Sequence, residues 1–237
     1  MHLSRSLQMA ALATVAASSL FTGPAASAAP ATPSPAHCAD VYVLSARGST
    51  EPPGPGAIGS LATQIKNQSR HTVDIGAVDY PAQLDPYADS SAKGTVAVKR
   101  QVARQIAACP TQKIVLIGYS QGAHIIGDAL GGGGGGQLGT KTPPLHAFLG
   151  AHIAAVIQMG DPRHIPGQSF DQGTARRAGM FPRLPDQRLN AYAHRIRAYC
   201  DHDDLFCDSG TSLTIHNSYL QRYTTPAATF VLKAIGG

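Results

Sequence analysis

Runs of apolar residues alternate along this chain with segments of helical periodicity. Strands are predicted at residues 41–44, 72–78, 113–117, 153–159 and 195–199, where β-branched and other apolar residues cluster. Helices are predicted over 57–66, after residue 120 and over 218–235, and Val98, Val102 and Ile106 at four-residue spacing mark another that ends before Cys109. Because strands alternate with helices, the pattern predicts an α/β fold, a three-layer sandwich whose central, mostly parallel sheet is covered by helices on both faces. No apolar amphipathic segment is placed to form a lid.

Several segments are expected to be irregular. Six consecutive glycines, 131–136, predict a flexible surface loop rather than a ligand cradle. Residues 163–190 are rich in proline, glycine and arginine and show no periodicity, and Pro226 should break or restart the last helix. His216 is expected in a loop before that helix.

The N-terminus has the pattern of an export signal. A short basic start, an apolar stretch over 7–21 and the small residues Ala26-Ser27-Ala28 predict a signal peptide over 1–28, followed by a disordered Ala/Pro-rich leader over 29–37. Residues 38–237 are then expected to form a single domain. The apolar stretch is too short for a membrane span, so we expect a secreted, extracellular protein.

Composition narrows the classes of partner. Hydrophobic residues make up 43% of the chain and charged residues 14%, with a formal charge of +5 that falls to about +4 without residues 1–28. The basic residues are scattered, and no basic patch carries interleaved aromatic residues, which argues against nucleic-acid binding. We expect a monomer.

Four cysteines in an exported chain predict two disulfides. Cys200 and Cys207 flank a short loop, whereas Cys38 and Cys109 each lie just outside a predicted strand. This placement favours the pairs 38–109 and 200–207. None of the four has the spacing of a zinc site.

The candidate chemistry centres on Gly118-Tyr119-Ser120-Gln121-Gly122. This G-x-S-x-G sequence lies between a buried strand and a helix, which is the context of a nucleophile elbow. A serine nucleophile needs a histidine base and an acid that orients it, and in α/β hydrolases these follow in the order Ser, Asp, His. Several residues after Gly160 qualify: Asp161, Asp171, Asp186, Asp201, Asp203, Asp204 and Asp208 as acids, and His164, His194, His202 and His216 as bases. Asp161, which precedes a proline, is interpreted as the end of a strand.

Five short motifs resemble, in order, those of the cutinase and acetylxylan esterase family, over nearly all of residues 38–237. They are Ala46-Arg47-Gly48-Ser49-Thr50-Glu51, Gly118-Tyr119-Ser120-Gln121-Gly122-Ala123, Met159-Gly160-Asp161-Pro162, Tyr199-Cys200-Asp201 with Asp204-Leu205-Phe206-Cys207, and His216-x-x-Tyr219. The resemblance implies Ser120 as nucleophile, His216 as base and Asp204 as orienting acid. It also implies an oxyanion hole formed by Ser49 and the backbone N–H of Gln121. No metal or cofactor is implied.

The resemblance implies a serine ester hydrolase, which we expect to be a cutinase, with an acetylxylan esterase as the alternative. Cutinases act on hydrophobic polyesters and short-chain acyl esters, and acetylxylan esterases remove acetyl groups from xylan. The motif Arg47–Glu51, Asp204-Leu205 and the low cysteine count favour a cutinase. The glycine run and Tyr199-Cys200-Asp201 favour the esterase branch. Six apolar residues are candidates for an acyl groove: Leu84, Tyr87, Leu205, Phe206, Leu213 and Ile215. A secreted binding protein that keeps the fold without the chemistry is the alternative from another class.

Overall fold

The structure is a computed structural model that describes residues 38–236. The predicted signal peptide and the 29–37 leader lie outside the described residues. Six parallel strands form one sheet in the order β2-β1-β3-β4-β6-β5. The strands are β1 (Val41–Ala46), β2 (Val73–Ala77), β3 (Lys113–Tyr119), β4 (Ile153–Met159), β5 (Asp171–Gln172) and β6 (Ile196–Tyr199).

Helices cover both faces of this sheet, as the alternating pattern predicts. The helices are α1 (Gly59–Gln68), α2 (Tyr87–Ala108), α3 (Gln121–Gly131), α4 (Ala147–Gly150), α5 (Leu213–His216) and α6 (Tyr219–Ile235). Three short 3-10 helices lie at Gly136–Leu138, Pro185–Gln187 and Asn190–Arg195. Helices α2 and α3 pack on one face, and α1 and α6 pack on the other.

The interior of the central strand β3, residues 114–117, is apolar throughout. Ile114 and Leu116 belong to the core shared with α2 and α3, whereas Val115 and Ile117 belong to the core shared with α1 and α6. Successive side chains point to opposite faces of a strand, so a sheet covered on both sides requires an unbroken apolar run. Ser120 follows directly at the carboxyl end of this strand.

The last helix differs from its prediction, because α6 runs through Pro226 without a break. Pro226 has no backbone N–H, so the carbonyl of Arg222 has no helical donor. Both residues lie on the exposed face of the helix. Ala227, Ala228 and Val231 are buried against the sheet. Packing of this buried face therefore outweighs the local cost of the proline.

The glycine-rich segment is also more ordered than predicted. Gly133 forms a β-bridge with Thr142, and Gly132 and Gly133 are buried. A Cβ atom at Gly133 would lie 2.5 Å from Oδ2 of Asp128, so the close approach to this buried carboxylate requires glycine. The run is thus a packed loop that follows α3.

Two further elements differ from the sequence expectation. The segment 163–190, predicted to be irregular, contributes strand β5 and a 3-10 helix. His216 lies at the end of the short helix α5 rather than in a loop. Both elements are too short to show a period in the sequence.

Both predicted disulfides are present. Cys38–Cys109 joins the segment ahead of β1 to the residue that follows α2 across 71 residues, and Cys200–Cys207 closes a loop after β6. By chain entropy the longer link contributes about 4 kcal/mol to folding. Within residues 38–236, no helix has both the length and the apolar character of a membrane span.

Candidate active site

Ser120 occupies a sharp turn between β3 and α3. Its φ of 54° is in the left-handed region, and its backbone N–H donates to the carbonyl of Met159 at 2.8 Å. A Cβ atom at Gly118 would lie 2.5 Å from the carbonyl oxygen of Gly122, and one at Gly122 would collide with the carbonyl of Ala46. The two glycines therefore permit the close strand–helix crossing that a nucleophile elbow needs.

A chain of hydrogen bonds runs from this serine to a buried carboxylate. His216 Nε2 lies 2.9 Å from Ser120 Oγ, and His216 Nδ1 lies 2.8 Å from Asp204 Oδ2. Of the candidate acids and bases in the described chain, Asp204 and His216 are the pair that the fold brings to the elbow. Ser120 is partly exposed, whereas His216 and Asp204 are buried.

The carboxylate of Asp204 is held on both oxygens. Oδ1 accepts hydrogen bonds from the backbone N–H groups of Phe206 and Cys207, both at 2.7 Å, and Oδ2 faces His216. Burial alone would raise the pKa of Asp204, but the hydrogen bond and charge of His216 and the two amides outweigh it, so the pKa is lowered. Asp204 is thus ionised and oriented inside the loop that the Cys200–Cys207 disulfide closes.

Aromatic rings surround the imidazole of His216. Phe206 meets it edge-on with ring centres 4.6 Å apart, and Tyr119 and Tyr219 lie at 5.2 and 6.1 Å. The Tyr119 hydroxyl also donates to the backbone carbonyl of His216 at 3.1 Å. Packing on several sides restricts the ring to the orientation that links Ser120 and Asp204.

Ser49 and Gln121 both lie close to Ser120, Gln121 as the next residue of the chain and Ser49 in the same cleft. Gln121 is fully buried. Because it is the first residue of α3, its backbone N–H has no acceptor within the helix and points out of the helix N-terminus. Ser49 lines the same cleft as Ser120, and its Oγ is buried without a hydrogen-bond partner among the described residues. A hydroxyl without a partner and a backbone N–H at a helix N-terminus are the kinds of donor that stabilise an oxyanion.

The loop that carries Ser49 is fixed by residues to which the sequence assigned no separate role. The Glu51 carboxylate accepts from the N–H groups of Gly48 at 2.6 Å and Ala57 at 2.9 Å. Arg47 is buried, and its guanidinium donates to the carbonyl groups of Val78 and Glu51. The charged residues of this motif therefore shape the loop.

Four of the six residues predicted for an acyl groove line the cleft beside Ser120. They are Leu84, Leu205, Phe206 and Leu213. Leu84 and Leu213 are 54% and 50% exposed, which is unusual for leucine. Tyr87 and Ile215 are not among the lining residues. Tyr87 begins α2 and turns inward, where its hydroxyl contacts His124 Nδ1 at 2.9 Å and its ring stacks on Phe181.

A buried ionic cluster behind the elbow helix was not predicted. Asp128 on α3 pairs with His124 at 3.2 Å, Arg163 at 3.0 Å and Arg183 at 2.8 Å. Arg183 also pairs with Asp161 at 3.2 Å, so Asp161, which lies just beyond the end of β4, is also a member of this cluster. Among residues 38–236, no group of three or more histidine, cysteine or acidic side chains is placed to hold a metal ion.

This cluster predicts a loss of stability in acid. Burial would raise the pKa of Asp128, but His124, Arg183 and Arg163 outweigh it and hold the pKa well below its ordinary value. Because the unfolded state then binds more protons, this stabilisation is present above about pH 4 and is lost as the pH falls towards the folded pKa. Urea unfolding should therefore show a falling free energy of unfolding below pH 4.

The acid effect is tested with two variants. Asp128→Asn removes the buried partner of two arginines, so it should cost about 3–5 kcal/mol at neutral pH. It should also flatten the pH dependence below pH 4. Asp186→Asn, at an exposed pair with Lys141, is the matched control and should leave most of the dependence in place. Equal pH slopes for wild type and Asp128→Asn would contradict the assignment.

The parallel sheet covered by helices on both faces is the fold of an α/β hydrolase. The elbow Ser120 with His216 and the buried carboxylate of Asp204 is a serine-hydrolase arrangement. The Cutinase family model matches residues 37–235, and the chain belongs to the cutinase family. This membership and the names of its relatives identify a carboxylic ester hydrolase.

Two relatives and one solved structure illustrate the similarity. Acetylxylan esterase 2 of Talaromyces purpureogenus is 32% identical over 208 residues, which is 84% of this chain and 88% of the relative. Cutinase 11 of Verticillium dahliae is 34% identical over 203 residues, which is 82% of this chain and 68% of the relative. The catalytic core domain of acetyl xylan esterase from Trichoderma reesei superposes with a TM-score of 0.77 at 32% identity. The superposition covers 83% of this chain and 99% of that structure.

Proposed function

We propose that the protein is a secreted serine esterase of the cutinase type that cleaves hydrophobic polyesters and short-chain acyl esters through an acyl-enzyme on Ser120. The observation that carries the proposal is the hydrogen-bonded series Ser120, His216, Asp204, which opens into an apolar cleft. The signal-like sequence over 1–28 and the two disulfides support export from the cell.

The proposed reaction has two steps. Ser120 Oγ attacks the ester carbonyl as His216 Nε2 accepts its proton, and the oxyanion that forms accepts hydrogen bonds from Ser49 and the N–H of Gln121. His216 then donates that proton to the departing alcohol, which leaves the acyl group on Ser120. A water molecule then attacks this acyl-enzyme as His216 accepts its proton, and His216 returns that proton to Ser120 Oγ as the acid is released.

Asp204 has a separate role in this proposal. It accepts the Nδ1 proton of His216, so that Nε2 is the free acceptor, and its charge stabilises the imidazolium formed in each step. The amides of Phe206 and Cys207 occupy its other oxygen, which prevents rotation of the carboxylate.

The cleft supports a hydrophobic acyl group. Four apolar side chains border Ser120, and two of them, Leu84 and Leu213, are half-exposed at the cleft. Exposed apolar residues next to a reacting group favour substrates that bury hydrocarbon, at about 25 cal/mol per Å² of surface. A polyester surface or an aliphatic acyl chain meets this condition.

Deacetylation of xylan is the second candidate. The observation that favours it is the likeness in both sequence and structure to proteins named acetylxylan esterase. An acetyl group needs little apolar surface, and xylan would contact the polar part of the cleft, where Thr50, Glu51 and Asn217 lie.

The two candidates are separated by measuring the released acid. We expect the wild type to release fatty acids from cutin or a synthetic polyester faster than it releases acetate from acetylated xylan. Ser120→Ala, the control, should lose about 10⁴-fold or more on every ester. Rapid deacetylation without attack on the polyester would support the second candidate, and equal rates for Ser120→Ala and wild type would contradict the mechanism.

A further inference from the structure

A closed circuit of hydrogen bonds lies behind the elbow, outside the reacting groups. The backbone N–H of Gln83 donates to Ser90 Oγ at 2.9 Å, and the Ser90 hydroxyl donates to Gln121 Oε1 at 3.0 Å. Gln121 Nε2 donates back to the carbonyl of Gln83 at 3.0 Å. Ser90 on α2 and Gln121 on α3 are both fully buried. Both backbone groups of Gln83 are thus held by side chains of two helices in a satisfied, mutually strengthening network.

Ala82, the residue before Gln83, is hydrogen-bonded to the loop that carries Ser49. The N–H of Thr50, which follows Ser49, donates to the carbonyl of Ala82 at 2.7 Å. Thr50 and Ala82 have φ angles of 66° and 55°. Non-glycine residues occupy this region at a cost, which the surrounding contacts must offset. The pair Ala82–Gln83 therefore connects the Ser49 loop with the N-terminus of α3.

We propose that the side chains of Ser90 and Gln121 are positioning residues. They hold Ala82–Gln83, the two-residue link between the Ser49 loop and α3, which we call the strap. The strap in turn fixes the separation of the two proposed oxyanion donors. This inference rests on the proposed function, and it adds a role for the Gln121 side chain to that of its backbone N–H. Leu84, the next residue, lines the cleft, so the strap also sets one wall of the acyl site.

The expected consequence is an effect on kcat rather than on KM. Oxyanion donors act when they lie 2.7–3.1 Å from the oxygen of the tetrahedral intermediate, and the ground-state ester makes weaker use of them. Freeing Gln83 would let the Ser49 loop move relative to α3. One donor would then miss that position in the transition state while the apolar cleft still binds the substrate.

The chain offers a matched control in the adjacent residue. Ser91 is also buried on α2, but its hydroxyl donates to the carbonyl of Ala88 within its own helix at 3.1 Å. Ser90→Ala and Ser91→Ala each remove one buried hydroxyl from the same turn. They differ in whether the strap loses its contact.

The test combines turnover with inactivation by an oxyanion-forming reagent. With p-nitrophenyl butyrate, Ser90→Ala should lower kcat about 10-fold or more and leave KM within about twofold. The rate constant for inactivation by a p-nitrophenyl alkylphosphonate should fall in parallel, because phosphonylation also places a charged oxygen between the donors. Ser91→Ala should stay within about twofold of wild type in both assays.

A second variant guards against misfolding. Gln121→Met keeps the length of the side chain without its hydrogen bonds, and it should reproduce the kcat loss even if Ser90→Ala does not fold. If the wild type is active but a folded Ser90→Ala or Gln121→Met variant has the same kcat as Ser91→Ala, the strap proposal is wrong and the proposed function stands. A loss that appears in KM instead of kcat would also contradict the strap. A wild type inactive on all esters would overturn the proposed function and the strap with it.

Discussion

Asp204→Asn is expected to lower kcat about 10⁴-fold and to leave KM nearly unchanged. The expectation follows from the two oxygens of this buried carboxylate. Oδ1 is fixed by the amides of Phe206 and Cys207, which can bond to oxygen and not to an NH₂ group. The asparagine must therefore keep its oxygen on the amides and turn its NH₂ group towards His216.

That orientation reverses the hydrogen bond to the imidazole. An NH₂ group at the position of Oδ2 donates to Nδ1, so the proton of the neutral imidazole moves to Nε2. Nε2 then faces Ser120 Oγ, 2.9 Å away, as a donor and cannot accept the serine proton. The substrate still binds, because the cleft is untouched, but the first step loses its base.

Asp203→Asn is the control for this experiment. Asp203 precedes the acid, lies at φ 67° and accepts hydrogen bonds from Thr211. Asparagine tolerates this left-handed conformation and offers the same kind of acceptor, so activity should stay within about twofold. Steady-state kinetics of both variants on a p-nitrophenyl ester, with circular dichroism to verify folding, decides the matter. A loss below 100-fold for Asp204→Asn would contradict the role of Asp204.

The elbow and the sheet could be predicted from the sequence because their signals are local. Strand β3, the two glycines and Ser120 are adjacent in the chain, and the predicted strand over Ile153–Met159, apolar except for Gln158, matches β4 to the residue. Asp204 and His216 had no such signal among seven acids and four histidines. The contact between His216 and Ser120 spans 96 residues, so neither partner could be chosen from the residues alone, and the family motifs selected both.

The features that escaped the sequence are those set by tertiary contacts. Strand β5 has two residues and forms because β6 offers a free edge. The glycine run is ordered because Arg163 and Gln187 donate to its carbonyl groups from a distant loop. Pro226 is accommodated because the opposite face of α6 is buried. Local propensity decides such segments only when no packing opposes it.

Gly160→Ala is expected to lower kcat at least 100-fold, although Gly160 makes no contact with the substrate in the proposed reaction. The residue directly follows β4 at a φ of 65°, and its backbone lies against the imidazole of His216. A Cβ atom there would be 2.8 Å from His216 Cε1 and 3.0 Å from Nδ1. Real Cβ atoms do not approach this closely, so either the ring or the backbone must move.

Movement of the His216 imidazole is the change that would lower kcat. His216 is confined by Phe206, Tyr119 and Tyr219, and a push from the Gly160 side changes its distance to Ser120 Oγ or Asp204. A displacement of about 1 Å in a reacting group costs about 100-fold in rate. Alanine at positive φ adds a backbone cost of about 1–2 kcal/mol, which by itself would lower stability rather than kcat.

Gly167→Ala separates these two effects. Gly167 has a φ of 83°, and a Cβ atom there would meet no heavy atom within 4 Å. This variant should therefore carry the backbone cost without the clash, so its melting temperature should fall while its kcat stays near that of wild type. Measured together, a loss of kcat in Gly160→Ala and not in Gly167→Ala assigns the effect to His216. Equal activity losses in the two variants would mean that backbone strain, and not displacement of the imidazole, limits the reaction.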